Sequence, residues 1–249
     1  MTATDETLSG DRSTEMAPAP LLELRDLHAG YGGIDVLQGV DLEVCPGEVV
    51  ALLGPNGAGK TTTLSVIAGL LEATSGDVLV AGRRVNGASP ADLARCGLCL
   101  VPEGRGVFPN LTVRENLKMM TYGGRSLSEI ETVAYDRFPR LADRGNQTAG
   151  TLSGGEQQML ALARGLATDP ALLILDELSI GLAPIIVEEL YARVADVAAL
   201  GVAILVVEQF AEVALGVADK AAIMTHGEVT HSGSPDEIRA VLPQSYLGG

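Results

Sequence analysis

The chain of 249 residues carries 17 basic and 32 acidic side chains, a formal net charge of −15, and is 47% hydrophobic. That is enough apolar material to bury a sizeable core in a single α/β domain. The acid excess argues against nucleic acid as a partner, since phosphate backbones are held by clustered Lys and Arg. It argues equally against direct adhesion to anionic lipid.

Residues 1–19 are polar and acidic, end in an Ala/Pro-rich stretch, and lack the basic start and apolar run of a signal peptide. They read as a disordered tail ahead of a folded unit over 20–249. "LLELRDLHAGYG" alternates apolar and polar residues as a half-buried strand does. "DVLQGVDLEV" and "GEVVALLG" are further strands, separated by a turn at Pro46-Gly47. A helix is expected over "KTTTLSVIAGLLEA", then a hairpin over "SGDVLVAGRRV" with its turn at Gly82-Arg83. A short helix at "PADLARCG" leads into a strand at "LCLVP".

From about 112 to 167 the patterns are helical only. An insert of that length far exceeds the usual connection of about 2–6 residues and requires a purpose of its own. Strands resume with "ALLILD", followed by a helix "PIIVEELYARVADVAAL" that Pro184 begins and Gly201 stops. A strand "VAILVVE", a helix around "FAEVALGVA", a hairpin "AAIMTHGEV" and a short helix "SPDEIRAVL" complete the chain. The runs "VVALLG", "ALLIL" and "AILVV" are apolar throughout, as strands buried on both faces of a parallel sheet are. None approaches the ~20 residues that span a bilayer.

Cys96 and Cys99 form a C-x2-C pair, and Cys45 stands apart. A structural zinc site takes four ligands, and no second Cys/His pair stands nearby, with His28, His226 and His231 scattered. The thiols read as buried and reduced.

"GPNGAGKTT" spans Gly54, Pro55, Asn56, Gly57, Ala58, Gly59, Lys60, Thr61 and Thr62, after a strand and before a helix. It fits the phosphate-loop pattern G-x-x-x-x-G-K-S/T. Its glycines let backbone N–H groups wrap phosphates, Lys60 reaches the β- and γ-phosphates, and the Thr61 hydroxyl ligates Mg2+. The helix that follows turns its positive dipole end to the same anion. Asp176 and Glu177 end the apolar strand "ALLILDE", and the carboxyl end of a parallel strand is where ligands bind. Asp176 is placed to hold the Mg2+ shell and Glu177 to take a proton from the attacking water.

"LSGGEQQ" at Leu152–Gln158 resembles the signature of ATP-binding-cassette (ABC) ATPases, and with the phosphate loop it points to that superfamily. The resemblance covers nearly the whole chain from Leu21. It implies an α/β P-loop NTPase with a RecA-like parallel-sheet core, an antiparallel β subdomain and a helical signature subdomain over about 112–167. It further implies head-to-tail dimers in which Ser153, Gly154, Gly155 and Glu156 meet the ATP of the partner. Two anion-holding devices then serve two different nucleotides. Tyr31 stands where such ATPases place a ring against adenine; it reads also as an ordinary loop tyrosine.

"VPEGRGVFPNLTVRENL" looks like the segment that links nucleotide to a membrane partner. Four positions depart from the superfamily's usual residues. Glu103 replaces a Gln, Gln209 replaces the His that contacts the γ-phosphate, Ala183 replaces an Asp, and Leu178 replaces a Pro. Together "VPEGR", "ENL", "SIGLAP", "VVEQ" and "YLGG" resemble one branch, the smaller ATPase subunit of branched-chain amino-acid importers, with relatives in urea and short-amide uptake. Leu178 is the less expected replacement.

In that branch Glu103 offers a carboxylate near Mg2+, and Gln209 can donate an amide N–H to the γ-phosphate without ever being a cation. The branch implies a second, related ATPase subunit (a heterodimer, with a homodimer possible), two integral membrane permease subunits and an extracytoplasmic substrate-binding protein. Such a chain works at the cytoplasmic face of the membrane, with ATP and Mg2+. Phe108 reads equally as a contact for the membrane subunit and as core of the insert. A soluble non-transport ABC ATPase and a nucleotide-binding regulator without turnover are the competing readings.

Overall fold

The computed structural model describes residues 19–104 and 106–247. Residues 1–18 of the expected 1–19 tail, Arg105 of "VPEGR" and the closing Gly248-Gly249 lie outside the described residues. The chain opens with β1 (Leu22–Tyr31) and β2 (Ile34–Val44), paired antiparallel from Tyr31↔Ile34 to Leu22↔Val44. Gly32 and Gly33 make the two-residue turn at φ +57° and +83°, the doubly left-handed geometry that suits a hairpin and that glycine adopts without penalty.

After β3 (Val49–Leu53) and α1 (Lys60–Ile67) come β4 (Ser75–Val80), β5 (Arg83–Arg84), α2 (Pro90–Arg95) and β6 (Leu98–Val101). The first helix stops at Ile67, short of the expected Ala73. Gly69 takes φ +71°, and a Cβ there would lie 2.5 Å from the Ala88 carbonyl oxygen, so close packing breaks a sequence pattern that would otherwise continue. The β4–β5 turn falls on Ala81-Gly82, both at positive φ, one residue before the expected position.

The insert holds α3 (Val113–Lys118), α4 (Leu127–Arg137), α5 (Pro139–Asp143) and α6 (Gly154–Leu166), with short 3-10 turns between. Capping boxes open three of these helices, from Thr112 to Glu115, Ser126 to Glu129 and Ser153 to Glu156. Each satisfies donors that a helix start otherwise leaves without partners. Then follow β7 (Leu172–Asp176), α7 (Pro184–Ala198), β8 (Ala203–Glu208), α8 (Ala211–Leu215), β9 (Lys220–Thr225), β10 (Glu228–Gly233) and α9 (Pro235–Leu247).

Two sheets result. One is four-stranded and antiparallel in the order β2-β1-β4-β5; the other is six-stranded in the order β10-β9-β3-β8-β7-β6. Within the larger sheet β9, β3, β8, β7 and β6 run parallel, and β10 closes one edge antiparallel. Because strand side chains alternate between faces, β3 and β8 feed two cores. Ala51, Leu53, Ile204 and Val206 pack with Val113, Leu117 and Leu160 of the insert and with Leu190 and Val194 of α7. Val50, Leu52, Leu205 and Val207 pack instead with Leu22, Leu24 and Leu37 of the smaller sheet and Leu64 of α1. The large sheet is therefore covered on both faces, which is why its strands read as unbroken apolar runs.

Leu205 sits mid-strand in β8 and is fully buried. Leu205→Ala should lower the unfolding free energy by about 3 kcal/mol through lost burial and a residual cavity, measurable by urea denaturation.

Candidate functional site

Parallel register fixes where three segments leave the sheet. Leu53 pairs with Glu208, and Asp176 pairs with Val207. Gly54, Glu177 and Gln209, each next along its chain, therefore emerge at the same carboxyl edge. The phosphate-loop residues and Glu177 share a cavity there, lined by Val36, Asn56, Gly57, Gly59, Lys60, Thr61, Thr62 and Glu177.

The loop owes its shape to its glycines. A Cβ at Gly54 would lie 2.4 Å from the Met224 carbonyl oxygen. Gly59 stands at φ +112° as N-cap of α1 and gives no side-chain cap, so the first-turn N–H groups of that helix face the cavity without a side-chain acceptor. Backbone donors at a helix start are an anion site. Ala58 is tied to the hairpin between β9 and β10, its carbonyl accepting from Gly227 N–H at 2.8 Å.

Lys60 is buried and donates to the Gly54 and Pro55 carbonyls at 2.7 and 3.2 Å. Its ammonium also lies 3.4 Å from Glu177 Oε1. The lysine is thus held by its own loop and by the carboxylate across the cavity, in the space an anionic phosphate would claim.

Asp176 is buried, and its carboxyl is pushed up to about 6, by desolvation first and by the neighbouring Glu177 charge second, with the Glu103 backbone N–H donating to it in opposition. Glu177 takes φ +47°, a left-handed conformation that costs a residue with a side chain and persists only where its surroundings enforce it. Its N–H donates to the Val207 carbonyl at 2.8 Å. The Thr61 hydroxyl and the Asp176 carboxylate are oxygen donors of the kind that would suit a hard cation such as Mg2+.

Other expected residues sit around this centre. Tyr31 is half exposed beside the β1–β2 turn and does not line the cavity, although Val36 of the same hairpin does. Glu103 keeps its side chain exposed while its backbone reaches Asp176. Gln209 follows β8, partly buried, outside the cavity lining. Ser153, Gly154, Gly155 and Glu156 do not line the cavity either. They form the start of α6, with Glu156 Oε2 accepting from the Ser153 N–H at 2.9 Å and hydroxyl at 2.8 Å. A Cβ at Gly155 would meet Ile186 Cγ2 at 2.4 Å, so glycine lets α7 approach.

Several expectations need correction. Phe108 is exposed, so it is not core of the insert; the Arg164 guanidinium stands 4.8 Å from its ring centre and donates to the Gly106 carbonyl. Cys96 is exposed rather than buried, while desolvation raises the pKa of Cys99. Leu178 is fully buried and joins the insert-side core, which accounts for an apolar side chain where a Pro is common. Ala183 caps α7 without a side-chain bond, and Pro184 at the first helical position makes that tolerable.

Sequence reasoning also missed contacts. Asn116 is fully buried and clasps the Phe108 backbone, accepting from its N–H at 2.8 Å and donating to its carbonyl at 3.0 Å. Glu208, last residue of β8, is 0% exposed and accepts from Ser179 and Tyr191. A charge ending an apolar strand was the available signal, but its partners are distant in sequence.

The ABC transporter family matches residues 37–179. The chain is 42% identical over 226 residues to the high-affinity branched-chain amino acid transport ATP-binding protein BraG of Pseudomonas aeruginosa, across 88% of this chain and 96% of that one. It is 36% identical over 221 residues to the probable branched-chain amino acid transport ATP-binding protein LivF of Archaeoglobus fulgidus, across 88% and 94%. Among solved structures, an ATP-binding cassette of an ABC transporter in its ADP conformation superposes with a TM-score of 0.82 at 27% identity, across 91% and 97%. The ATP-binding subunit of an ABC transporter gives 0.78 at 32% identity, across 90% and 94%.

The Glu156 carboxyl is held below its ordinary value, chiefly by the Ser153 backbone N–H. A depressed folded value means the charge stabilises above the unfolded value and stops doing so as pH falls. Glu156→Gln should therefore destabilise at pH 7 by roughly 0.5 kcal/mol, screening keeping the effect small. In urea titrations that difference should shrink once pH drops below about 4.3.

Proposed function

We propose, starting from the fact that this chain belongs to the ABC transporter family, that it is the ATP-hydrolysing subunit of an importer for branched-chain amino acids. The cargo assignment rests on the two relatives whose names specify branched-chain amino acid transport. The observation that carries the hydrolytic reading is the shared edge that sets Lys60 and Glu177 3.4 Å apart over the phosphate loop.

In this reading the backbone of Gly54–Thr62 wraps the phosphates and Lys60 leaves its loop carbonyls for the β- and γ-phosphate oxygens. Tyr31 backs the adenine. Thr61 and Asp176 would hold Mg2+, with Glu103 close by, and the ion would neutralise charge on the phosphates. Glu177, released from Lys60, accepts a proton as a water oxygen bonds to the γ-phosphorus and the bond to the departing ADP oxygen breaks. Gln209 donates its amide N–H to a γ-phosphate oxygen.

Residues 20–249 form the nucleotide-binding unit, with 112–167 as a helical subdomain that moves on closure. Ser153, Gly154 and Gly155, backed by Glu156, close over the nucleotide of a second ATPase subunit, so ATP joins the two chains and hydrolysis parts them. Hydrogen bonds to a charged group are worth about 1.5–3 kcal/mol each, enough in number to shift an open–closed equilibrium. A related but different partner chain would make the two sites unequal. Two permease subunits hold the pair at the cytoplasmic face of the membrane, Phe108 being a contact, and an extracytoplasmic binding protein delivers cargo. Among the described residues no helix is long and apolar enough to cross a membrane.

Glu177→Gln should lower ATP turnover of the assembled complex by about 10²–10⁴-fold with ATP binding retained, and Gln209→Ala should cost less. Wild-type turnover in Glu177→Gln would overturn the assignment of the base. Uptake of labelled leucine, lost in a deletion strain while urea uptake persists, is the outcome expected for the cargo.

A further inference from the structure

The carboxylate of Glu208 lies one strand away from the proposed base and outside the lining of the phosphate-loop cavity. It is fully buried, and its hydrogen-bond partners come from two other elements. Oε1 accepts from the Ser179 N–H at 2.9 Å and from the Tyr191 hydroxyl at 2.7 Å; Oε2 accepts from the Ser179 hydroxyl at 2.8 Å. All three donors are neutral. A buried carboxylate is costly unless its lone pairs are filled, so this arrangement holds only when the loop after β7 and helix α7 are both in place. Burial and the Glu208 charge raise the Tyr191 phenol well above its ordinary value, keeping it a donor.

The position of this carboxylate gives it a task. Glu208 pairs with Leu53, next to the phosphate loop, and directly precedes Gln209. Ser179 lies two residues past Glu177, whose left-handed backbone needs enforcement from both sides. The Val207 carbonyl fixes the Glu177 N–H at 2.8 Å, and Glu208 fixes the loop beyond. Between them the Leu178 carbonyl accepts from Gln158 Nε2 of α6 at 3.2 Å. The backbone of the proposed base is thus held by β8, and the residue that follows it by the helix whose start carries the signature.

We propose that Glu208 is a positioning residue for ATP hydrolysis, clamping the loop after β7 through Ser179 and α7 through Tyr191 so that Glu177 and Gln209 keep a fixed relation at the sheet edge. This deepens the hydrolytic reading and rests on Glu177 as the base. Glu208→Gln preserves volume but removes the charge and turns one acceptor oxygen into an NH2 group, which is met only if the Ser179 hydroxyl reverses its role and accepts. The loop then relaxes and Glu177 loses its aim, while the phosphate loop, on the other strand, is untouched.

The test is steady-state ATP hydrolysis by the assembled transporter, with nucleotide binding measured separately using a fluorescent ATP analogue. Glu208→Gln should lower kcat about tenfold or more, with KM and analogue affinity within about twofold of wild type, because only positioning at the transition state is lost. Tyr191→Phe, which removes one donor and keeps the ring, should lower kcat about threefold with the same unchanged KM. It decides the question alone if Glu208→Gln does not fold. In a Glu177→Gln background neither change should reduce the residual turnover further, since groups acting as one unit are not additive.

Wild-type kcat in Tyr191→Phe and any folded Glu208→Gln, KM rising in step with the fall in kcat, or full additivity with Glu177→Gln overturns the clamp. If Glu177→Gln abolishes turnover while the clamp variants leave kcat unchanged, the base stands and only the clamp is wrong. If Glu177→Gln leaves turnover intact, both fall.

Discussion

The parallel pairing of β3, β8 and β7 is the constraint on which the rest depends. Strand register brings Gly54, Glu177 and Gln209 out at one edge, and nothing in the local sequence of any of them could do so. The register in turn requires both faces of the sheet to be dry, which the insert and α7 supply on one side and the small antiparallel sheet with α1 on the other. Function at the edge and stability in the middle are consequences of the same packing.

Electrostatics at that edge is organised around an expected anion. Lys60 leans on two backbone carbonyls and on Glu177, while Asp176 and Glu177 sit side by side with Asp176 driven toward its neutral form. Adjacent carboxylates and one lysine leave a site that a triphosphate with a divalent cation would satisfy better than its own side chains do. The start of α6, proposed as the second anion device, is closed by a capping box between Ser153 and Glu156 and sits apart from the first cavity. Its link to the loop of the proposed base runs through Gln158 and the Leu178 carbonyl. Arg164, further along the same helix, reaches Gly106 and Phe108. One helix therefore joins the proposed signature, the loop of the proposed base and the segment proposed for the membrane contact.

How much of this was legible in the sequence follows from the range of each interaction. The phosphate loop was readable because its chemistry lies within nine consecutive residues, and the acid pair because it ends an apolar strand. The buried strands declared themselves by unbroken apolar runs. The end of α1 at Ile67 was hidden, since it is set by the approach of Ala88 to Gly69. The Glu208 contacts with Ser179 and Tyr191 span 29 and 17 residues, beyond any periodicity. Exposure of Phe108 and Cys96 is likewise a property of packing around them, not of their neighbours in the chain.

Whether one nucleotide is held by two chains is decided by a structure of the assembled transporter trapped with ATP before hydrolysis. The Ser153 hydroxyl and the N–H groups that open α6 should lie within hydrogen-bond distance of the γ-phosphate on the phosphate loop of the partner subunit. A trapped complex in which that helix start faces solvent, with each ATP enclosed by a single chain, would contradict it.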